Sequence, residues 1–116
     1  MFDWSRTSPP LLTLAALLIA PAAFAAGDPP EERQKVLLYR LIQDCGSCHG
    51  MTLKGGLGPA LLPETLKDKA DESLTDIILN GIEGTPMPPW AFETSASEAA
   101  WLVRVLKKGA VHDATH

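Results

Sequence analysis

The chain is poor in the residues from which disulfide, zinc and catalytic frameworks are assembled: its 116 residues include two cysteines and three histidines. Two thiols allow at most one disulfide, which excludes a disulfide-stapled scaffold. Strand patterning is missing as well, since no stretch alternates apolar and polar residues, and no unit recurs along the chain as it would in a solenoid. Clusters of Lys and Arg are also lacking. Fourteen acidic and ten basic residues give a net charge of −4, a balance that argues against a phosphate-binding face and so against nucleic acid as a partner.

No apolar run is long enough to span a bilayer. The longest, Leu11 to Ala26, is interrupted by Pro21, and it falls short of the roughly 20 residues a spanning helix needs. It follows a short head containing Arg6 and ends in the small residues Ala23-Phe24-Ala25-Ala26. That is the layout of a secretory signal peptide, residues 1–25, cleaved after Ala25 or Ala26. Export to the periplasm is expected, with no stable membrane insertion after cleavage. Residues 26–116 then form one domain, with a disordered tail from about 110 to 116. Loss of Asp3 and Arg6 with the leader leaves the charge unchanged.

Against this background stands Cys45-Gly46-Ser47-Cys48-His49. Two thiols one helical turn apart, followed at once by an imidazole, are what covalent attachment of a c-type haem requires. The sulfurs add across the two porphyrin vinyl groups, and His49 lies under the iron as proximal ligand. Three other uses of C-x-x-C compete. A redox dithiol needs a βαβ setting that nothing here supplies. An oxidised pair is the second. Zinc is the third, because His112 and His116 form H-x-x-x-H, but they lie far beyond the ligand spacing of a zinc finger. Haem also suits the size of the domain, since a small core needs a staple and a tethered porphyrin supplies one.

The remaining pattern is helical. Asp28, Pro29 and Glu31 resemble a capping box, after which Leu38, Leu41, Ile42 and Cys45 share one face and carry the first thiol to the haem edge. A short second helix is expected over 64–69. A third begins near Asp71, places Leu74, Ile77 and Ile78 on one face, and stops at Asn80-Gly81. The last opens with Ser95 and Glu98 in capping-box relation, runs through Trp101, Leu102, Val105 and Leu106, and closes at Lys107-Lys108-Gly109, where the lysines suit the helix dipole.

A proximal histidine leaves one iron position open. Met51 follows His49 too closely for the chain to carry it to the far face. Met87 sits in Gly84-Thr85-Pro86-Met87-Pro88-Pro89, where prolines restrict the backbone around the thioether, and it is the expected distal ligand. Its alternative use is as a plug in the core. A soft, neutral sulfur donor keeps both oxidation states six-coordinate, which suits single-electron transfer. No acid–base constellation accompanies it, and the chain is expected not to be an enzyme.

Cys45 to Gly50, Gly55-Gly56-Leu57-Gly58-Pro59-Ala60-Leu61 and the Met87-Pro88 loop together resemble a small monohaem class I cytochrome c, over residues 31–108. The resemblance implies an all-α fold of about three to four helices wrapped around one haem c. It also implies that the Pro59 carbonyl accepts a hydrogen bond from His49, and that Leu57 and Leu61 line the haem. Trp90 would either approach a haem propionate or fill the core. One departure is visible: Leu37, Leu41 and Val105 stand where the family packs a glycine and aromatics. More narrowly, Thr52 to Leu61 and Gly84 to Trp90 are similar to the small cytochromes c of denitrification nir gene clusters, the NirC family. That likeness implies a monomeric periplasmic carrier whose redox partner is the haem cd1-type nitrite reductase, with a role in maturation of d1 haem or of that enzyme as the alternative.

Overall fold

Pro29 and Pro30 stop any upstream helix from running into the domain, and the first helix starts directly after them. The computed structural model describes residues 27–111, so the expected leader and cleavage site, His112 and His116 lie outside the described residues. Among these, the elements are α1 (Glu31–Arg40), a π-helical turn (Leu41–Cys45), α2 (Gly46–His49), α3 (Pro63–Leu66), α4 (Asp71–Asn80) and α5 (Ala96–Lys108), with no strand. Because α1, the π-helical turn and α2 follow one another without a break, the fold reads as four helical segments, as the sequence led one to expect.

The expected capping box at Asp28 does not form. Pro30 occupies the N-cap position with no side-chain bond, while the Asp28 carboxylate accepts from Arg104 of α5 at 2.9 Å. An ion-pair partner elsewhere in the fold has drawn Asp28 away from the helix end. Instead, Glu31 and Glu32 place negative charge in the first turn, where the dipole favours it. The helix then widens: the Gly46 amide bonds back to the Leu41 carbonyl, five residues earlier. One extra residue per turn is a π-bulge, a device that often marks a functional site.

The core is built around α5, against which α1, α3 and α4 pack. Leu37 and Leu41 are buried with Leu53, Leu66, Trp101, Leu102, Leu106 and Val111, while Leu38, Ile42, Cys45 and Val105 are half-buried against them. The buried stripe of α1 therefore centres on Leu37 and Leu41 rather than on the predicted line through Leu38 and Cys45. Fully burying each such leucine contributes about 2 kcal/mol. Leu37 on α1 and Leu41 on the π-helical turn share the core with Trp101, Leu102 and Leu106 of α5, where Ala99 is fully enclosed. Val111, assigned by the sequence to the tail, packs into this core.

The other ends are closed as their residues dictate. Pro63 opens α3 at its first turn, where its missing N–H costs nothing, and this helix is shorter than the sequence implied. Lys107 reaches the Asp71 carboxylate and the Lys69 carbonyl at the start of α4, a structural use that supersedes the simple dipole account of that lysine. The Ser95–Glu98 capping box of α5 forms in both directions, and Gly109 closes the helix in the left-handed conformation.

Candidate haem site

Cys45 ends the π-helical turn and Cys48 lies on α2, both half-buried and both free thiols. Burial pushes the Cys45 thiol up to about 11, and the neighbouring Asp44 charge adds to the effect. At neutral pH this sulfur keeps its proton, which makes it a poor partner for spontaneous oxidation. Ser47 between them donates its hydroxyl to the Asp44 carbonyl at 2.6 Å.

Gly50 ends α2 with a φ of +91° and turns the chain into a loop that folds back over His49. His49 Nδ1–H donates to the Pro59 carbonyl at 2.6 Å. This bond fixes the tautomer and leaves the lone pair of Nε2 available to a metal. Main-chain bonds hold the loop, among them Gly55 N–H to the His49 carbonyl at 2.8 Å, Gly58 N–H to the Cys48 carbonyl at 2.8 Å, Gly56 N–H to the Gly58 carbonyl at 3.0 Å, and Leu61 N–H to the Leu53 carbonyl at 2.9 Å. Leu53 adopts φ +58°, a conformation that costs a non-glycine residue roughly 1–2 kcal/mol, and its nearly complete burial offsets that cost.

Gly58 does something the sequence reading missed. A Cβ at this position would stand 2.7 Å from His49 Cε1 and 2.8 Å from Nδ1, so the bare glycine backbone forms a wall against the imidazole. The G-P pair after His49 hinted at a turn, but the close approach exists only in three dimensions.

Met87 is positioned by a different element. α4 ends at Gly81, whose amide bonds to the Ile77 carbonyl at 2.8 Å, and the loop beyond is closed by Ile82 N–H to the Met87 carbonyl at 3.2 Å. The Thr85 hydroxyl donates to the Ile82 carbonyl at 2.7 Å and accepts from the Met87 amide at 3.3 Å. A Cβ at Gly81 would meet the Met87 carbonyl; the loop can close this tightly because that position is glycine. Met51 instead packs its sulfur beside Gly46 and is 53 % exposed. Trp90 is half-buried and stacks on Phe92, the ring centroids 5.9 Å apart.

The residues fit a haem. Its donor set is an imidazole oriented by the Pro59 carbonyl and, in the same pentapeptide, two thiols, and apolar side chains elsewhere in the domain stay uncovered: Leu57 is 76 % exposed and Phe92 75 %. α4 carries Leu74, Ile77, Ile78 and Leu79 and fully buries none of them, although Leu74 and Ile78 pack against the core. Leu61, also expected to line the haem, is half-buried against the core. Among the described residues no cluster of three or more His, Cys, Asp or Glu is placed to hold a metal, and His112 and His116 lie outside them.

Comparison with known proteins agrees with this geometry. The family model described as cytochrome c oxidase, cbb3-type, subunit III matches residues 30–104. Cytochrome c55X of Pseudomonas aeruginosa is 48 % identical over 101 residues, which are 86 % of this chain and 85 % of that protein. The solved structure of a c-type cytochrome NirC superposes with a TM-score of 0.71 at 54 % identity, covering 72 % of this chain and 98 % of that one. A dihydro-heme d1 dehydrogenase of Pseudomonas aeruginosa is 38 % identical over 96 residues, 83 % of this chain but 18 % of that larger protein.

Proposed function

From the premise that the chain belongs to the c-type cytochromes, as a small class I member close to cytochrome c55X and NirC, we propose that it is a periplasmic single-electron carrier serving denitrification. It carries haem c and is an electron carrier rather than an enzyme. In this reading Cys45 and Cys48 hold the porphyrin through thioethers, His49 is the proximal ligand and Met87 the distal one. Haem iron so ligated supplies a one-electron couple whose two states are both six-coordinate. The observation that carries the assignment is the 2.6 Å bond between His49 Nδ1 and the Pro59 carbonyl, which leaves the other ring nitrogen available as a ligand in the residue directly after Cys48.

The chain's own residues limit rearrangement on electron arrival. In this reading the Gly58 backbone and the Pro59 carbonyl hold His49, and the Ile82–Met87 closure holds the loop from which Met87 would supply its sulfur. A preorganised site of this kind reorganises little, which favours rapid transfer. The acceptor we propose is the haem cd1-type nitrite reductase, reached by brief contact through a small face. Mixing reduced protein with that enzyme in a stopped-flow instrument should give rapid oxidation; a cytochrome that stays reduced would count against the partner.

A second reading has its own support. The likeness to a segment of a dihydro-heme d1 dehydrogenase favours a role in d1 haem maturation, with this chain handling electrons or a precursor for that chemistry. Carbon monoxide separates the two. A ferrous carrier held by Met87 should show almost no immediate spectral change, whereas rapid binding would favour the maturation role.

A further inference from the structure

The chain that bears Met87 is suspended between two anchors. At one end Gly81 is fixed to α4, and the Trp90 amide returns to the Ile78 and Leu79 carbonyls at 3.0 and 3.2 Å. At the other, the main-chain carbonyl of Glu93 accepts from two guanidinium groups of α1, Arg33 Nη2 at 2.8 Å and Arg40 Nη1 at 3.2 Å. Both lone pairs of one backbone oxygen are thus engaged, and what is fixed is the path of the chain rather than a mobile side chain. The two arginines differ in their further duties. Arg33 pairs with Glu98 at 2.6 Å and belongs to the start of α5. Arg40 pairs with the Glu93 carboxylate at 3.2 Å and approaches Asp44, beside Cys45, at 3.7 Å.

We propose that Arg40 is a positioning residue for the Met87 loop, tying the turn that carries Cys45 to the segment that follows the methionine. The proposal rests on the reading of Met87 as distal ligand. An exposed ion pair alone contributes little, but a guanidinium that holds a main-chain oxygen as well as a carboxylate loses more when removed. Without Arg40 the return segment keeps Arg33 and its own main-chain bonds, Glu93 and Thr94 N–H to the Trp90 carbonyl at 3.0 Å, and the closed loop becomes less favoured relative to one in which Met87 has left the iron.

Ferric holoprotein titrated with imidazole tests this, because an external ligand enters only when Met87 leaves and its apparent affinity reports the open fraction. Arg40→Ala should bind imidazole about fivefold more tightly than wild type. Arg40→Lys should fall between them, since one ammonium cannot reproduce the planar fork. Arg104→Ala, which breaks only the pair with Asp28, should match wild type, and Met87→Ala should bind most tightly. Wild-type affinity in Arg40→Ala beside tight binding in Met87→Ala would overturn the positioning role and leave the ligand assignment standing. Wild-type affinity in Met87→Ala would overturn the assignment itself. An Arg104→Ala response as large as that of Arg40→Ala would mean general loosening, and would also overturn the proposal.

Discussion

One added methyl group tests how His49 is held. Gly58 is not among the glycines with positive φ, so alanine can adopt its backbone, and the penalty comes from the imidazole it would strike. Gly58→Ala should destabilise the holoprotein by about 1–3 kcal/mol. It should also raise the reduction potential, because a ring pushed off the Pro59 carbonyl is a less basic ligand and stabilises ferric iron less; spectroelectrochemistry reads the shift. Glu98 gives a pH prediction. The bond from Arg33 holds its carboxyl down at about 2, against an ordinary 4.5. A depressed carboxylate adds stability above its unfolded value and loses it as pH falls toward the folded one. Melting temperature should therefore drop more steeply between pH 4.5 and 2 in wild type than in Glu98→Gln. At this scale the sequence was legible where chemistry demands particular atoms, as at Cys45, Cys48 and His49. It was silent on Gly58 and on Arg33 with Glu98, whose partners are set by tertiary approach.

Among the elements, α5 was the most readable because its signals are local: Ser95, Glu98 and Gly109 occupy the positions that capping rules assign. α1 was less so. Its capping residue was claimed by Arg104, and the π-helical turn has no counterpart in a 3.6-residue pattern, so the buried face could not be phased from the sequence. The α1–α5 crossing should be the most sensitive joint. Leu37→Ala, at a fully enclosed position, should cost about 2–5 kcal/mol, measurable by denaturant unfolding of the holoprotein. Val36→Ala on the exposed face of the same helix should change stability by less than about 0.5 kcal/mol.

For the molecule as a whole, the fold class could be read before any coordinates, because the absence of strand patterning and the haem motif pointed the same way. What the sequence could not supply was which apolar side chains the protein alone leaves uncovered. Leu57, Ile82 and Phe92 stay exposed and α4 buries no residue fully; a bound haem would add apolar surface to so small a core. A Cys45→Ser, Cys48→Ser variant made without haem should melt with little cooperativity by circular dichroism, in contrast to a sharp transition in the holoprotein. A sharp melt in that variant would show the helices to be self-sufficient. The acceptor that orients His49 has a genetic consequence. It belongs to the main chain, so no codon at position 59 can delete it, and a screen for loss of function would find its neighbours in the glycine loop while the oxygen itself escaped detection.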